Sequence, residues 1–339
     1  MPILQIRILA PLTWTLAVVT WIGVGGLSLD RFAVLFWVIT GLVAFTVGRQ
    51  PWWRAPLDWS PVIAFFLVYD FTRGSAATLG FPTHWELPAR VDSLLGFGQV
   101  PTVWLQEQLA SPADAVPGWE MVISTVYMSF FVVPFILAAV FWLRSRTQFV
   151  RFMTRLMLIS GIAVIGYVVV PTAPPWATAR CTHAQVAEHP PDPPCMEDAT
   201  PERRGATILR GLHPEDPEAS HVVERISSRG FLAIPGMHLT KGFVQSGIDA
   251  SNQVAAVPSL HAAEAALVCA FGWPFVRRRW RPVLALYPLV MGFTLVFGGD
   301  HFVLDVLLGW AVVALVMVGA RRFERRRSRQ EFTPVAVSA

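Results

Sequence analysis

Two histidines and an aspartate near the C-terminal end of the chain are of the types and spacing that nucleophilic or acid–base chemistry requires. His301 and Asp305, in HFVLD, are four residues apart, so on a helix they lie on one face within hydrogen-bonding reach. An imidazole that donates one N–H to a carboxylate presents a more basic lone pair on its other nitrogen, which suits a nucleophile or a general base. The alternative is a structural His–Asp pair that joins two helices.

The second histidine is His261, in the stretch AAVPSLHAAEAA at residues 255–266. If this stretch and HFVLD begin helices at the same membrane surface, the two histidines lie at one depth, so that one could attack while the other donates a proton to the leaving group. Ser259 and the amides of residues 259–262 would start the first helix, and a helix N-terminus favours an anion. The set predicts phosphoryl transfer through a phosphohistidine, with no metal or other cofactor.

A phosphate site also needs positive charge, and several cations compete for that role: Arg73, Arg180, Lys241 and the pair Arg203 and Arg204. Arg73 is favoured because it lies near the end of an apolar run, where an unpaired guanidinium is unfavourable. Its structural alternative is a local pair with Asp70. Pro258 and Asp300 complete the predicted substrate-binding set of Arg73, Pro258, Ser259 and Asp300. Glu264, one turn after His261, is predicted to face a polar seam, with tuning of His261 as the alternative.

The composition places these residues in a membrane protein. The 339 residues are 54% hydrophobic and only 15% charged, with 14 Trp and 23 Phe, unlike a soluble domain. About 20 apolar residues cross a hydrocarbon core of roughly 30 Å. The sequence therefore predicts an all-α, polytopic fold with eight transmembrane helices, at about 8–27, 32–48, 60–79, 119–143, 153–170, 256–275, 283–298 and 302–319.

Arginine distribution orients these helices, since positive residues in short loops stay cytoplasmic. Arginines are concentrated at 144–155, 277–281 and 321–329, whereas the short loops of the opposite face hold only Arg31 and Arg90. Both termini are therefore predicted to be cytoplasmic and both histidines to face the exterior of a plasma membrane. The net charge of +4 comes mostly from these arginines, so a nucleic-acid partner is not expected.

Two longer segments interrupt the apolar runs. Residues 80–118 carry apolar residues in short groups, which predicts interfacial helices. Residues 172–254 are polar and Pro-rich, which predicts an irregular external loop or cap. The chain then divides into an N-terminal transmembrane pair (1–58), a catalytic transmembrane domain (59–320) and a basic cytoplasmic tail (321–339). Cys181 and Cys195 lie in the external loop, as a disulfide or as two free thiols. His238, in IPGMH, is interpreted as a loop residue.

The sequence PSLH at 258–261, followed by HFVLD, resembles the second and third signature motifs of the type 2 phosphatidic acid phosphatase superfamily, membrane enzymes that remove or transfer lipid-linked phosphate groups. With PTAPPW (171–176) preceding them, the motifs are similar to those of the inositol phosphorylceramide synthase and sphingomyelin synthase-like phosphotransferases. The resemblance covers roughly residues 60–320. It implies that His301 is the nucleophile, Asp305 its orienting carboxylate and His261 the acid, within a phosphatase-type helical core.

One departure from the superfamily concerns its first motif, a Lys followed seven residues later by Arg-Pro. This motif is missing before residue 256, as it is in the phosphotransferase branch, and its absence leaves the phosphate-binding cation unassigned. The resemblance implies a lipid phosphate or phospholipid substrate and an inositolphosphotransferase-like activity, with water or an alcohol as acceptor. The alternative from another class is a non-catalytic transporter or scaffold that binds a phosphorylated head group.

Overall fold

The computed structural model is all-helical, as the sequence predicts. Within the described residues, extended pairing is limited to isolated bridges, of which His84 with Thr172 and Thr172 with Ala255 are two. The structure describes residues 3–25, 31–75, 79, 81–112, 115–197, 207–212, 223–234 and 253–331.

The helices follow the apolar runs of the sequence. The first eight are α1 (Ile3–Gly25), α2 (Arg31–Thr46), α3 (Arg54–Ser75), α4 (Leu87–Leu95), α5 (Pro101–Leu109), α6 (Gly118–Ser129), α7 (Val133–Arg144) and α8 (Arg146–Val169). Three short helices come next, α9 (Pro175–Thr178), α10 (Ile208–Gly211) and α11 (Ile226–Leu232), and the chain closes with α12 (Leu260–Gly272), α13 (Arg281–Phe297) and α14 (Val303–Glu331).

Several of these helices are long and apolar enough to cross a membrane. Among the described residues four qualify by length and composition, at Leu4–Trp21, Arg146–Val169, Arg278–Phe297 and Val303–Arg327, and α6 with α7 would make a fifth span that bends by 52°. The predicted spans at 32–48 and 256–275 correspond to the shorter apolar helices Phe36–Thr46 and Leu260–Gly272. The protein is therefore a multi-pass membrane protein, and the count of eight stays a prediction.

The helices α8, α12 and α14 form the core that supports the histidines. Phe152, Leu156 and Ile159 of α8 are fully buried in one cluster with Leu267 of α12 and Val313 of α14. Glycines allow close approach at the start of α12. A methyl group at Gly166 of α8 would lie 2.7 Å from Pro258 Cδ, and one at Gly309 of α14 would lie 2.5 Å from the Ser259 carbonyl oxygen. The start of α12 is thus held between α8 and α14.

The segments predicted to lie outside the apolar runs pack together over the start of α14. A second buried cluster joins Trp85 and Val103 to Trp176, Ile208 and Phe302. Within it, Cys181 and Cys195 form a disulfide with a Cα–Cα distance of 5.2 Å. The described parts of residues 172–254 contain only short helices and pack with α4 and α5 as a cap, because aromatic and aliphatic side chains from both segments share one core. The proposed division at residues 58 and 320 stays a prediction.

Candidate active site

His301 and Asp305 lie at the start of α14, where the chain turns into the helix. The turn is made by Gly299, with φ of 75°, a conformation that glycine adopts without strain. His301 Nδ1 lies 3.3 Å from Asp305 Oδ2, and the same carboxylate oxygen accepts the Phe302 N–H at 2.9 Å. Asp305 is fully buried and His301 is 7% exposed. The predicted i, i+4 pair therefore forms, and the carboxylate is also fixed by the backbone.

Asp92 of α4 binds the start of α14, a contact that no spacing in the sequence indicates. Its two carboxylate oxygens accept the N–H groups of Val303 and Leu304 at 2.8 and 2.9 Å. Burial, together with the neighbouring Asp305 carboxylate, raises the pKa of Asp92 to about 7, although the two backbone hydrogen bonds act in the opposite direction. An acid between Val91 and Leu94 in a short amphipathic segment is a weak signal of such a role, and the helix that it caps could not be inferred from it.

His261 lies in the first turn of α12, packed among aromatic rings from the end of α6 and from the break between α6 and α7. Its ring stacks on Tyr127, with centroids 4.9 Å apart, and contacts Phe130 at 4.0 Å and Phe131 at 6.2 Å. The rings of His261 and His301 are 5.8 Å apart, with planes at 58°. The two histidines thus lie close enough to act on opposite sides of one small group.

The remaining predicted residues near His261 are engaged within the protein. Ser259 Oγ accepts the Ala262 N–H at 3.4 Å, and the Ser259 N–H donates to the Asp305 carbonyl oxygen at 3.0 Å. Pro258 is buried against Gly166. These contacts lock α12 to α14, and two of the four amides that were expected to receive a phosphate already have protein partners. The substrate-binding roles of Ser259 and Pro258 stay predictions.

Asp300 lies beside His301, and its Oδ1 is 3.6 Å from Arg225 Nε. Arg225 was not predicted, because it lies in a polar segment where an arginine usually faces solvent. Glu264 is 3% exposed, and its place on a polar seam stays a prediction. The side chains of Arg73, Asp70, Arg203, Arg204, His238 and Lys241 lie outside the described residues, so the predicted role of Arg73 stays open.

Comparison with known families gives one match. The profile of the PAP2 superfamily matches residues 90–319, more than half of the chain. The chain belongs to the PAP2 superfamily. The PAP2 match includes Asp92, His261, His301 and Asp305. Neither the curated proteins nor the solved structures contain a match to the chain.

PAP2 membership confirms the resemblance seen in PSLH and HFVLD at the level of the superfamily. PAP2 proteins are generally phosphatases and phosphotransferases, so membership indicates phosphatase-type activity. The narrower similarity to inositol phosphorylceramide synthases stays a prediction.

Proposed function

We propose that this PAP2 protein is a membrane-embedded lipid phosphatase or phosphotransferase that acts through a phosphohistidine at His301. The observation that carries this proposal is the distance of 5.8 Å between the rings of His261 and His301, at the starts of adjacent helices. Two imidazoles at this separation can serve opposite sides of a phosphoryl group, and a buried carboxylate orients one of them. His301, Asp305 and His261 would therefore supply the nucleophile, its orienting carboxylate and the proton carrier.

In the first half of the proposed reaction, His301 is the nucleophile. With its Nδ1–H donated to Asp305, the lone pair of Nε2 attacks phosphorus, a P–N bond forms and the bond from phosphorus to the leaving oxygen breaks. Protonated His261 gives its proton to that oxygen. In the second half, neutral His261 takes a proton from water or an alcohol as that oxygen attacks phosphorus, and the P–N bond breaks to regenerate His301. Asp305 stabilises the positive charge that develops on His301.

A lipid substrate is supported by an apolar cavity of about 920 Å³ between α2, α3 and α7. The residues that line it are almost all apolar, and Val38, Trp59 and Phe131 are among them. Phe131 is also one of the rings that contact His261. We propose that the hydrocarbon tail of the substrate lies in this cavity, so that its phosphate reaches the two histidines.

The proposed orientation places the site at the outer face of the plasma membrane, with both termini cytoplasmic. The arginine distribution supports it, and so does the Cys181–Cys195 disulfide, since disulfides persist in oxidising compartments. Reporter fusions at residue 200 and at the C-terminus should report opposite sides of the membrane. Reporters on the same side would contradict this orientation.

An inositolphosphotransferase-like reaction is the specific form that we propose, with an alcohol of the acceptor attacking the phosphohistidine. The order of PTAPPW, AAVPSLH and HFVLD supports it. The same three side chains would serve hydrolysis if water reached the site. Comparing product formation from one lipid donor with and without myo-inositol or a lipid alcohol separates the two outcomes.

The mechanism is tested with purified full-length protein and phosphatidic acid in mixed micelles. His301→Ala and His261→Ala should each abolish turnover, because each removes a group that takes part in bond making or breaking. Brief exposure to labelled lipid phosphate should leave acid-labile label on His301 in the wild type, and EDTA should leave turnover unchanged.

The matched control is His183→Ala. His183 is 53% exposed and pairs with Glu86 in the cap, so the same substitution there should leave turnover intact. Full activity in His301→Ala would refute the phosphohistidine mechanism.

A further inference from the structure

Two arginines lie over one tryptophan whose backbone binds the turn that precedes His301. Trp176 is 5% exposed, and the guanidinium carbons of Arg180 and Arg225 lie 5.1 and 4.8 Å from its ring. Both distances are within the range of a cation–π interaction. Arg225 comes from a part of the chain 45 residues beyond Arg180, so the fold, and not local sequence, brings the two cations together.

This cluster is attached to the turn that presents His301. The Trp176 N–H donates to the Gly299 carbonyl oxygen at 3.2 Å, and Arg225 lies 3.6 Å from the Asp300 carboxylate. Residues 299 and 300 immediately precede His301. The Trp176 backbone and the Arg225 side chain are therefore both held by the turn that precedes His301, and Arg180 lies over the same tryptophan.

The positive charge of the cluster is only partly balanced. Among the residues that the structure describes, two carboxylates are near: Asp300, whose contact with Arg225 is long at 3.6 Å, and Glu224, which is 52% exposed and already binds Arg229 at 2.6 Å. Arg180 donates to the Met196 carbonyl oxygen at 2.7 Å, a neutral partner. Burial and the charge of Arg225 lower the pKa of Arg180. Two guanidiniums held together with this limited compensation favour an added anion.

Guanidinium groups suit phosphoryl oxygens, because their planar N–H donors match two oxygens at once. Each guanidinium carries five N–H donors, and Arg180 uses one of its groups on the Met196 carbonyl oxygen. A rigid aromatic support also reduces the conformational entropy that each long side chain loses when an anion binds.

We propose that Arg180 and Arg225, held over Trp176, bind the phosphoryl oxygens of the substrate at His301 and supply the positive charge that the sequence left unassigned. Asp300 acts as a positioning residue that holds Arg225. The inference rests on the proposed function for the identity of the phosphate as substrate. It extends that function by assigning the anion site to the cap instead of to Arg73.

Binding of inorganic phosphate by the full-length protein in detergent tests the site without turnover. Thermal unfolding should shift upward with phosphate in the wild type and in His301→Ala. Arg180→Gln and Arg225→Gln should each weaken the apparent phosphate affinity at least tenfold, and Arg225→Lys should recover only part of it, because the ammonium keeps the charge but loses the planar donor set.

Kinetics on phosphatidic acid in mixed micelles give the second measurement. Each Arg→Gln change should raise KM about tenfold or more. The control is Arg90→Gln, the same change at an exposed arginine whose partner is Glu86 on the same turn, and it should alter neither KM nor phosphate affinity.

The outcomes separate this inference from the proposed function. If Arg180→Gln and Arg225→Gln lower the melting temperature without changing phosphate affinity or KM, the cluster is purely structural and the inference is wrong, even if His301→Ala is inactive. If no phosphohistidine forms but phosphate affinity still depends on both arginines, the inference stands and the proposed mechanism fails. If only a change at Arg73 weakens phosphate binding, the anion site lies there and the inference is overturned.

Discussion

The two helix starts that carry the histidines are held by different means. At the start of α12, the cap is local: Ser259 Oγ accepts the N–H of Ala262, three residues on. At the start of α14, the N–H groups of Val303 and Leu304 bind the carboxylate of Asp92, more than 200 residues earlier in the chain. The hydrogen bond of Ser259 can form together with α12, because its two partners are neighbours in sequence. The hydrogen bonds of Asp92 form only when α4 has packed against α14. His301 is thus positioned only after α4 has packed against α14, whereas His261 is positioned by its own sequence and by helix packing.

The two histidines also differ in the polarity of the side chains around them. His261 is enclosed by aromatic rings of α6 and of the break that follows it. The turn before His301 is instead surrounded by polar groups, including Asp305 and the pair of Asp300 and Arg225. An apolar enclosure fixes the position of a ring, whereas charged neighbours also determine which of its nitrogens carries a proton. This contrast supports His301 as the nucleophile and His261 as the proton carrier.

Separating the two helix starts should have the largest effect. In Gly309→Ala the added methyl would lie 2.5 Å from the Ser259 carbonyl oxygen and 3.3 Å from the Ala263 nitrogen, both backbone atoms, so α12 and α14 must move apart. We expect turnover to fall more than tenfold and stability to decrease by about 1–3 kcal/mol, as for overpacked cores. Gly319→Ala on the same helix meets open space and is the control for turnover and melting temperature. Wild-type turnover in Gly309→Ala would show that the helix spacing is not critical.

Removing the distant cap should have the next largest effect. Asp92→Ala deletes both hydrogen bonds at the start of α14, which should lower stability by about 1–2 kcal/mol and should lower kcat about tenfold by loosening the His301 turn. Asp92→Asn keeps one acceptor oxygen, so its stability and kcat should lie between those of Asp92→Ala and the wild type. Kinetics and thermal unfolding measure both effects, with Asp192→Ala, at an exposed aspartate, as the control. If kcat were unchanged while the melting temperature fell, Asp92 would have no role in positioning His301.

Removing the local cap should have the smallest effect. The Ser259 hydrogen bond is long, at 3.4 Å, so Ser259→Ala should lower stability by about 0.5–1 kcal/mol. A loss of that size at the site corresponds to a roughly two- to fivefold lower kcat/KM. Ser145→Ala removes a capping hydrogen bond of the same length at the start of α8. This change should reduce stability and leave kcat/KM unchanged. An equal kcat/KM in the two variants would remove Ser259 from the predicted substrate-binding set.

Much of the fold class could be predicted from the sequence. Apolar runs of membrane length and their charged flanks are local properties, and they correctly predicted an all-α, multi-pass protein. The pairing of His301 with Asp305 was also predictable, because residues four apart meet on any α-helix. The start of α12 was visible in PSLH, since proline and serine before an alanine-rich run mark a helix N-terminus.

The tertiary structure decided what surrounds these residues. Asp92, Trp176 and Arg225 come from separate segments, and no local period relates them to HFVLD. The joining of Cys181 to Cys195, left open against two free thiols, likewise required the fold of the cap to bring the sulfurs together. Helix periodicity determines which residues share a face, but it does not determine which distant segment will cover that face. That choice depends on packing and on buried polar groups. When a helix start or an arginine loses contact with water, its N–H groups need hydrogen-bond partners, and the segment that packs against it supplies them.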